Sequence, residues 1–142
     1  MVIVAAVNET ERAGAVVEEA RTLADRFDDE LHVVHVLTRS EFTDIEQEQV
    51  KQTGQPAGKQ NVEELAADIA TELAEQVTDE FTPVGLIGDP DERIVRYARE
   101  QDARYTVIGG RKRSPIGKAV FGSTAQSVLM SSDQSVLVVI DS

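Results

Sequence analysis

The chain has 142 residues, with 26 acidic against 14 basic side chains and a formal charge of −12, a length that suits one domain with its own core and no need of covalent staples. It has no cysteine and two histidines, His32 and His35, which excludes thiol chemistry, disulfide frameworks and most zinc sites. The acidic balance argues against a nucleic-acid binder, because affinity for phosphate backbones comes from Lys and Arg at many contacts.

The first apolar run, "VIVAAV" (2–7), has no basic flank and is far shorter than a signal peptide core or a membrane span, so a cytoplasmic protein is expected. It reads as a strand. From Ala13 the apolar positions Val16, Val17, Ala20, Leu23, Ala24 and Phe27 recur at three and four, giving a helix with one buried stripe; Asn8 and Glu11 are placed to cap it. "LHVVHVL" (31–37) is a second strand, and its histidines alternate with apolar residues, which fits packed core residues better than ligands, though spacing alone gives no geometry.

Residues 38–60, "TRSEFTDIEQEQVKQTGQPAGKQ", are polar and carry Gly54, Pro56 and Gly58. They read as irregular: a mobile lid or a disordered insertion. Asn61 and Glu64 then open a helix whose inner face is Val62, Leu65, Ala66, Ile69, Leu73 and Val77. A third strand, "PVGLI" (83–87), leads into "DPDERIVRYARE", where Asp89 reads as N-cap, Pro90 as the first helical residue and Glu92 as the return leg of a capping box. The fourth and fifth strands are "RYTVI" (104–108) and "SVLVVI" (135–140), with a helix from Ser123 to Ser131 between them that turns Phe121, Ala125, Val128 and Leu129 inward.

These runs are rich in Val and Ile and nearly continuous, the pattern of strands covered on both faces. Five strands alternating with four helices predict a single domain over 1–142: an open, Rossmann-like α/β sheet, parallel, with helices on both faces.

Ligands of such sheets bind beyond the carboxyl ends of the strands, where the strand order reverses. The first strand runs into Asn8-Glu9-Thr10 and the fourth into Gly109-Gly110, which lets backbone approach a ligand with no Cβ between. Gly122-Ser123 follows at the start of a helix, whose unpaired N–H groups and dipole favour an anion. Between them lie Arg111, Lys112, Arg113 and Lys118, four of the fourteen basic residues within eight positions. The run is a phosphate cradle or a solvated turn; Ser123 with Gln126 also spells an ordinary capping box. It is neither a Walker loop nor a G-x-G-x-x-G turn.

The order of these features resembles the universal stress protein family. "VIVAAVNET" is similar to its first strand, "LHVVHV" to its second, "LIGDPDERIV" to its Val-Gly-x-Pro lead into the third helix and "SVLVVI" to its last strand. Nucleotide-binding members carry G-x-x-G, nine residues, then G-[ST]; here the frame gives Gly109, Lys112, nine residues, then Gly122-Ser123. The resemblance implies strand order 3-2-1-4-5, a homodimer, and ATP held between the ends of strands one and four; the last strand, Ser135 to Ile140, would be an open edge that pairing two copies hides, and any Mg²⁺ would ride on the phosphates. By position, Ala6, Val7, Asn8 and Val36 would line the adenine and ribose region, and Gly109, Gly122, Ser123 and Thr124 would hold the phosphates. This chain departs from the motif at Lys112, which replaces its second glycine and either obstructs phosphate or adds charge to it, and at Asn8, where such relatives carry aspartate. No carboxylate pair, triad or metal cluster has spacing that argues a reaction, so a stress-response sensor or switch is expected rather than an enzyme, with ATP hydrolysis at most slow.

Two other readings stand beside it. One is a nucleotide-free dimeric interaction module of the same family, favoured by Lys112 and Asn8. The other is an adenine-nucleotide α-hydrolase, which needs a Ser-Gly-Gly loop where this chain has Asn8-Glu9-Thr10. The basic side chains, ten Arg to four Lys, also make an acidic, lysine-poor surface of the kind that stays soluble where salt screens charge within a few ångströms, so a halophilic cytoplasm is one setting and an ordinary acidic protein the other.

Overall fold

The computed structural model describes residues 1–10, 12–111 and 122–141. Its elements are β1 (Val2–Ala6), α1 (Ala13–Phe27), β2 (Glu30–Leu37), α2 (Arg39–Thr53), α3 (Lys59–Glu75), β3 (Thr82–Ile87), α4 (Pro90–Glu100), β4 (Tyr105–Arg111), α5 (Ser123–Ser131) and β5 (Ser135–Asp141). The five strands are parallel and lie in the order β3-β2-β1-β4-β5, the order the resemblance implied.

Side chains of a strand alternate between faces, so each strand feeds two cores. Ile3, Ala5, Val7, Leu31, Val33 and Val107 meet α1 and α3 on one face. Val2, Val4, Val34, Val36 and Ile108 meet α4 and α5 on the other. Alanines thin the first layer: Ala20 and Ala24 of α1 and Ala70 and Ala74 of α3 are all fully buried. A close approach is made at Gly85 of β3, where a Cβ would collide with the Glu63 carbonyl and the Ala67 nitrogen of α3. Glycine is required there by packing.

Both histidines are buried in β2 with partners. His32 Nδ1 lies 2.6 Å from the Tyr97 hydroxyl, whose pKa burial pushes up. His35 Nδ1 donates to the Val7 carbonyl at 2.9 Å, fixing the end of β1. At the opposite end of the sheet the Asp29 carboxylate, 2% exposed, takes Arg104 Nε at 2.6 Å. That hydrogen bond, outweighing the cost of burial, holds the Asp29 carboxyl below its ordinary value.

The fold differs from expectation in one element and several caps. Among the described residues there are five helices rather than four, because 39–53, expected as part of an irregular lid or disordered insertion, is helical. Thr38 Oγ1 accepts from the Glu41 amide, Glu41 Oε1 accepts from the Thr38 amide, and Gly54 closes the helix at φ 81°. This capping box escaped notice because α2 has no fully buried residue; only Phe42 and Ile45 rest against the small cluster of Leu37, Val62 and Ala66, too few to write a helical period.

Asn8 does not cap α1: Arg12 holds the N-cap position, and Asn8 Oδ1 accepts from the Thr10 hydroxyl at 2.8 Å. Glu11 and Phe121 lie outside the described residues. Helix α3 begins at Lys59, two residues before Asn61, with Gly58 as its N-cap, and Asn61 Nδ2 donates backwards to the Ala57 carbonyl. Asp89 is the N-cap of α4 with Pro90 behind it, but it makes no side-chain cap bond, so no box forms with Glu92. Phe27, Leu65 and Leu129 are 43%, 41% and 36% exposed rather than inward.

Candidate functional site

Strands β1 and β4 lie side by side in the centre of the sheet, with Ile3 to Ala5 in register with Tyr105 to Val107. From β1 the chain leaves to α1 on one face, and the helix following β4 packs on the other. Divergence of the two connections opens a crevice at the carboxyl ends of the strands.

A cleft of about 260 Å³ occupies that place, just below the roughly 300–1,000 Å³ usual for small-molecule pockets. Ala6, Val7 and Asn8 line it from the end of β1, Val36 from β2, Gly109 from β4, and Gly122, Ser123 and Thr124 from the start of α5. Eight of the nine sequence-predicted site residues thus share one cavity. The ninth, Lys112, lies outside the described residues, as do Arg113 and Lys118. Reasoning from motifs missed the apolar wall made by Val34, Ile94, Ile108 and Val128, and also Pro90 and Arg12. The wall was visible as strand and helix periodicity without any sign of which ends face a ligand. Arg12 is a single residue in a turn and carries no pattern.

Local chemistry differs along the cleft. Its apolar wall would take a flat aromatic base. At the other side, Gly122 is the N-cap of α5 with no side-chain cap bond, and Ser123 is the first helical residue. The capping box expected of Ser123 and Gln126 is therefore not formed, and the N–H groups of the first turn have no acceptor within the helix. Helix α4 is tied to α5 by Ser127, which donates to Asp91 at 2.6 Å and is the main reason the Asp91 carboxyl sits below its ordinary value. This bond fixes the two helices that wall the cleft on one face.

Gly109 lines the cleft without being demanded by protein packing. A Cβ there would stand 3.4 Å from Val16 and 3.5 Å from Arg12 Nε, ordinary contacts that the fold would tolerate. Its bareness leaves room in the cleft itself.

The pattern of the universal stress protein family matches residues 1–139. The chain belongs to the universal stress protein family. A universal stress protein of Mycolicibacterium smegmatis is 40% identical over 57 residues, which is 40% of this chain and 42% of that protein, so the match spans less than half of that relative's length. Among solved structures, a universal stress protein from Archaeoglobus fulgidus is 26% identical, with 96% of each chain covered and a TM-score of 0.67. A universal stress protein in complex with cAMP is 21% identical, covers 100% of this chain and 98% of its own, and has a TM-score of 0.65. The sheet is thus that of the family.

Proposed function

We propose that this chain binds an adenine nucleotide, with ATP as the leading ligand, in the cleft between the ends of β1 and β4, and serves as a cytoplasmic stress-response sensor or switch. The observation that carries this is the convergence of Ala6, Val7, Asn8, Val36, Gly109, Gly122, Ser123 and Thr124 on one cavity. The neighbour solved with cAMP supports the ligand class. The cavity fits such a ligand in two parts: an apolar wall for the base, and the uncapped start of α5 for phosphate. Mg²⁺ would be carried by the phosphates of the nucleotide. The role is binding, with any hydrolysis slow.

Dimerisation through β5 belongs to the same proposal. That strand ends the sheet, and Ile140 is 47% exposed; two copies paired edge to edge would hide its unpaired backbone. Binding is tested by thermal melting with ATP, ADP, AMP and cAMP, with and without Mg²⁺. A ligand at about 100 times its Kd adds roughly 2.7 kcal/mol to stability, so a clear rise in Tm for an adenine nucleotide, and a smaller one for GTP, is expected. No rise with any of them would reject the reading.

One observation favours the alternative, a nucleotide-free dimeric module. The acceptor oxygen of Asn8 is already engaged by the Thr10 hydroxyl, which competes with ribose or adenine for that group. On this reading the melting curves stay unchanged while the dimer persists.

A further inference from the structure

We infer that Arg12 is the phosphate-recognition side chain of the cleft and makes it select nucleotides over the corresponding nucleosides; this deepens the nucleotide reading and rests on it. Arg12 sits between the end of β1 and the first residue of α1, half-buried, and lines the cavity. Among the described residues it is the single charged side chain on the cleft wall. Its Nε lies 3.5 Å, and its Cβ 3.6 Å, from the point where a Cβ on Gly109 would stand, so the side chain runs alongside the bare glycine.

Four other arginines of the fold are engaged by carboxylates: Arg21 by Asp25, Arg96 by Glu100, Arg99 by Asp133 and Arg104 by Asp29. Arg12, like Arg26, Arg39 and Arg93, makes no ion pair or side-chain hydrogen bond with any described residue, and of these it alone lines the cleft. In a chain of net charge −12, a guanidinium partly withdrawn from water, and without a carboxylate partner among the described residues, is suited to an anion. Its planar fork presents two parallel N–H donors, the geometry that a phosphate group accepts. The start of α5, whose first N–H groups have no acceptor within the helix, lines the same cavity. Cation and helix end together are suited to a phosphate ester, and neither would recognise the sugar or base.

The test is titration of ATP and of adenosine, at low and high salt, into the full chain and its Arg12→Gln and Arg12→Lys variants, with circular dichroism to confirm the fold. Arg12→Gln should weaken ATP by about tenfold or more while adenosine stays within about twofold, and Arg12→Lys should fall between, as loss of a charge-assisted hydrogen bond predicts. The salt dependence of ATP binding should shrink in Arg12→Gln. Equal losses for ATP and adenosine would mean that the arginine only packs against Gly109, and unchanged ATP affinity would mean that it does not meet the phosphates; either overturns the inference. If the unaltered protein binds neither compound, the nucleotide reading itself has failed and the role of Arg12 falls with it.

Discussion

Gly122 has φ −61° and ψ 157°, a conformation open to any residue. Gly122→Val should therefore keep the fold while filling the phosphate side of the cleft. Nucleotide affinity is expected to fall by about tenfold or more, with a Tm within about 3 °C of the parent; calorimetric titration beside thermal melting checks both. The Asp29–Arg104 pair makes a different prediction. Because the Asp29 pKa is depressed in the folded state, its stabilisation is fully present above the ordinary value of 3.8 and is lost as pH falls through the lower folded value. Asp29→Asn should cost about 1–3 kcal/mol at neutral pH and flatten the loss of stability in that acid window; urea unfolding from pH 7 down to pH 3 reads both effects. At this scale the sequence was only partly legible. The glycines of the site stood out as glycines, whereas Arg12 is one unpatterned residue, and the partner of Ser123 depends on whether the N-cap of the helix is residue 122 or 123. That difference of one residue removed the capping box.

Helices α2 and α3 show why elements are legible when they bury a face and obscure when they do not. The apolar run of β2 and the stripe of α1 announce themselves because Val and Ala recur at the period of the structure. Helix α2 is written in Glu, Gln and Lys, which favour helix by propensity alone, and is held by its cap. Thr38→Ala should lower stability by about 1 kcal/mol and speed amide exchange across 39–53 more than elsewhere, as hydrogen exchange with mass spectrometry would report. Gly85 had no visible purpose in the strand "PVGLI"; it matters only when α3 lies against β3. Gly85→Ala should destabilise by about 1–3 kcal/mol or more through overpacking, measured by denaturant unfolding, while Gly109→Ala, whose Cβ meets only ordinary contacts, should cost far less.

For the whole molecule, five strands and the helices that bury a face between them were readable because a doubly covered parallel sheet imposes near-continuous apolar runs. The strand order came from family resemblance and the cavity from the order, since divergence at β1 and β4 is a property of topology and not of any segment. Two edges remain. The β3 edge carries Pro83, which blunts pairing, whereas β5 has no such residue; sedimentation should find a dimer, and a charged pair placed at Val138 and Ile140 should dissociate it. The acidic, lysine-poor surface predicts a Tm that rises between low and molar potassium chloride as mutual repulsion is screened, and a Tm indifferent to salt would remove the halophilic interpretation. The central claim, that the crevice is a nucleotide site, is tested most directly by purifying the protein in molar salt, denaturing it and weighing the released small molecules by mass spectrometry beside Gly122→Val. Adenine nucleotide approaching one per chain, and absent from the variant, is the predicted result; none from the parent, together with no rise in Tm on adding Mg-ATP, would contradict it and leave a dimeric interaction module.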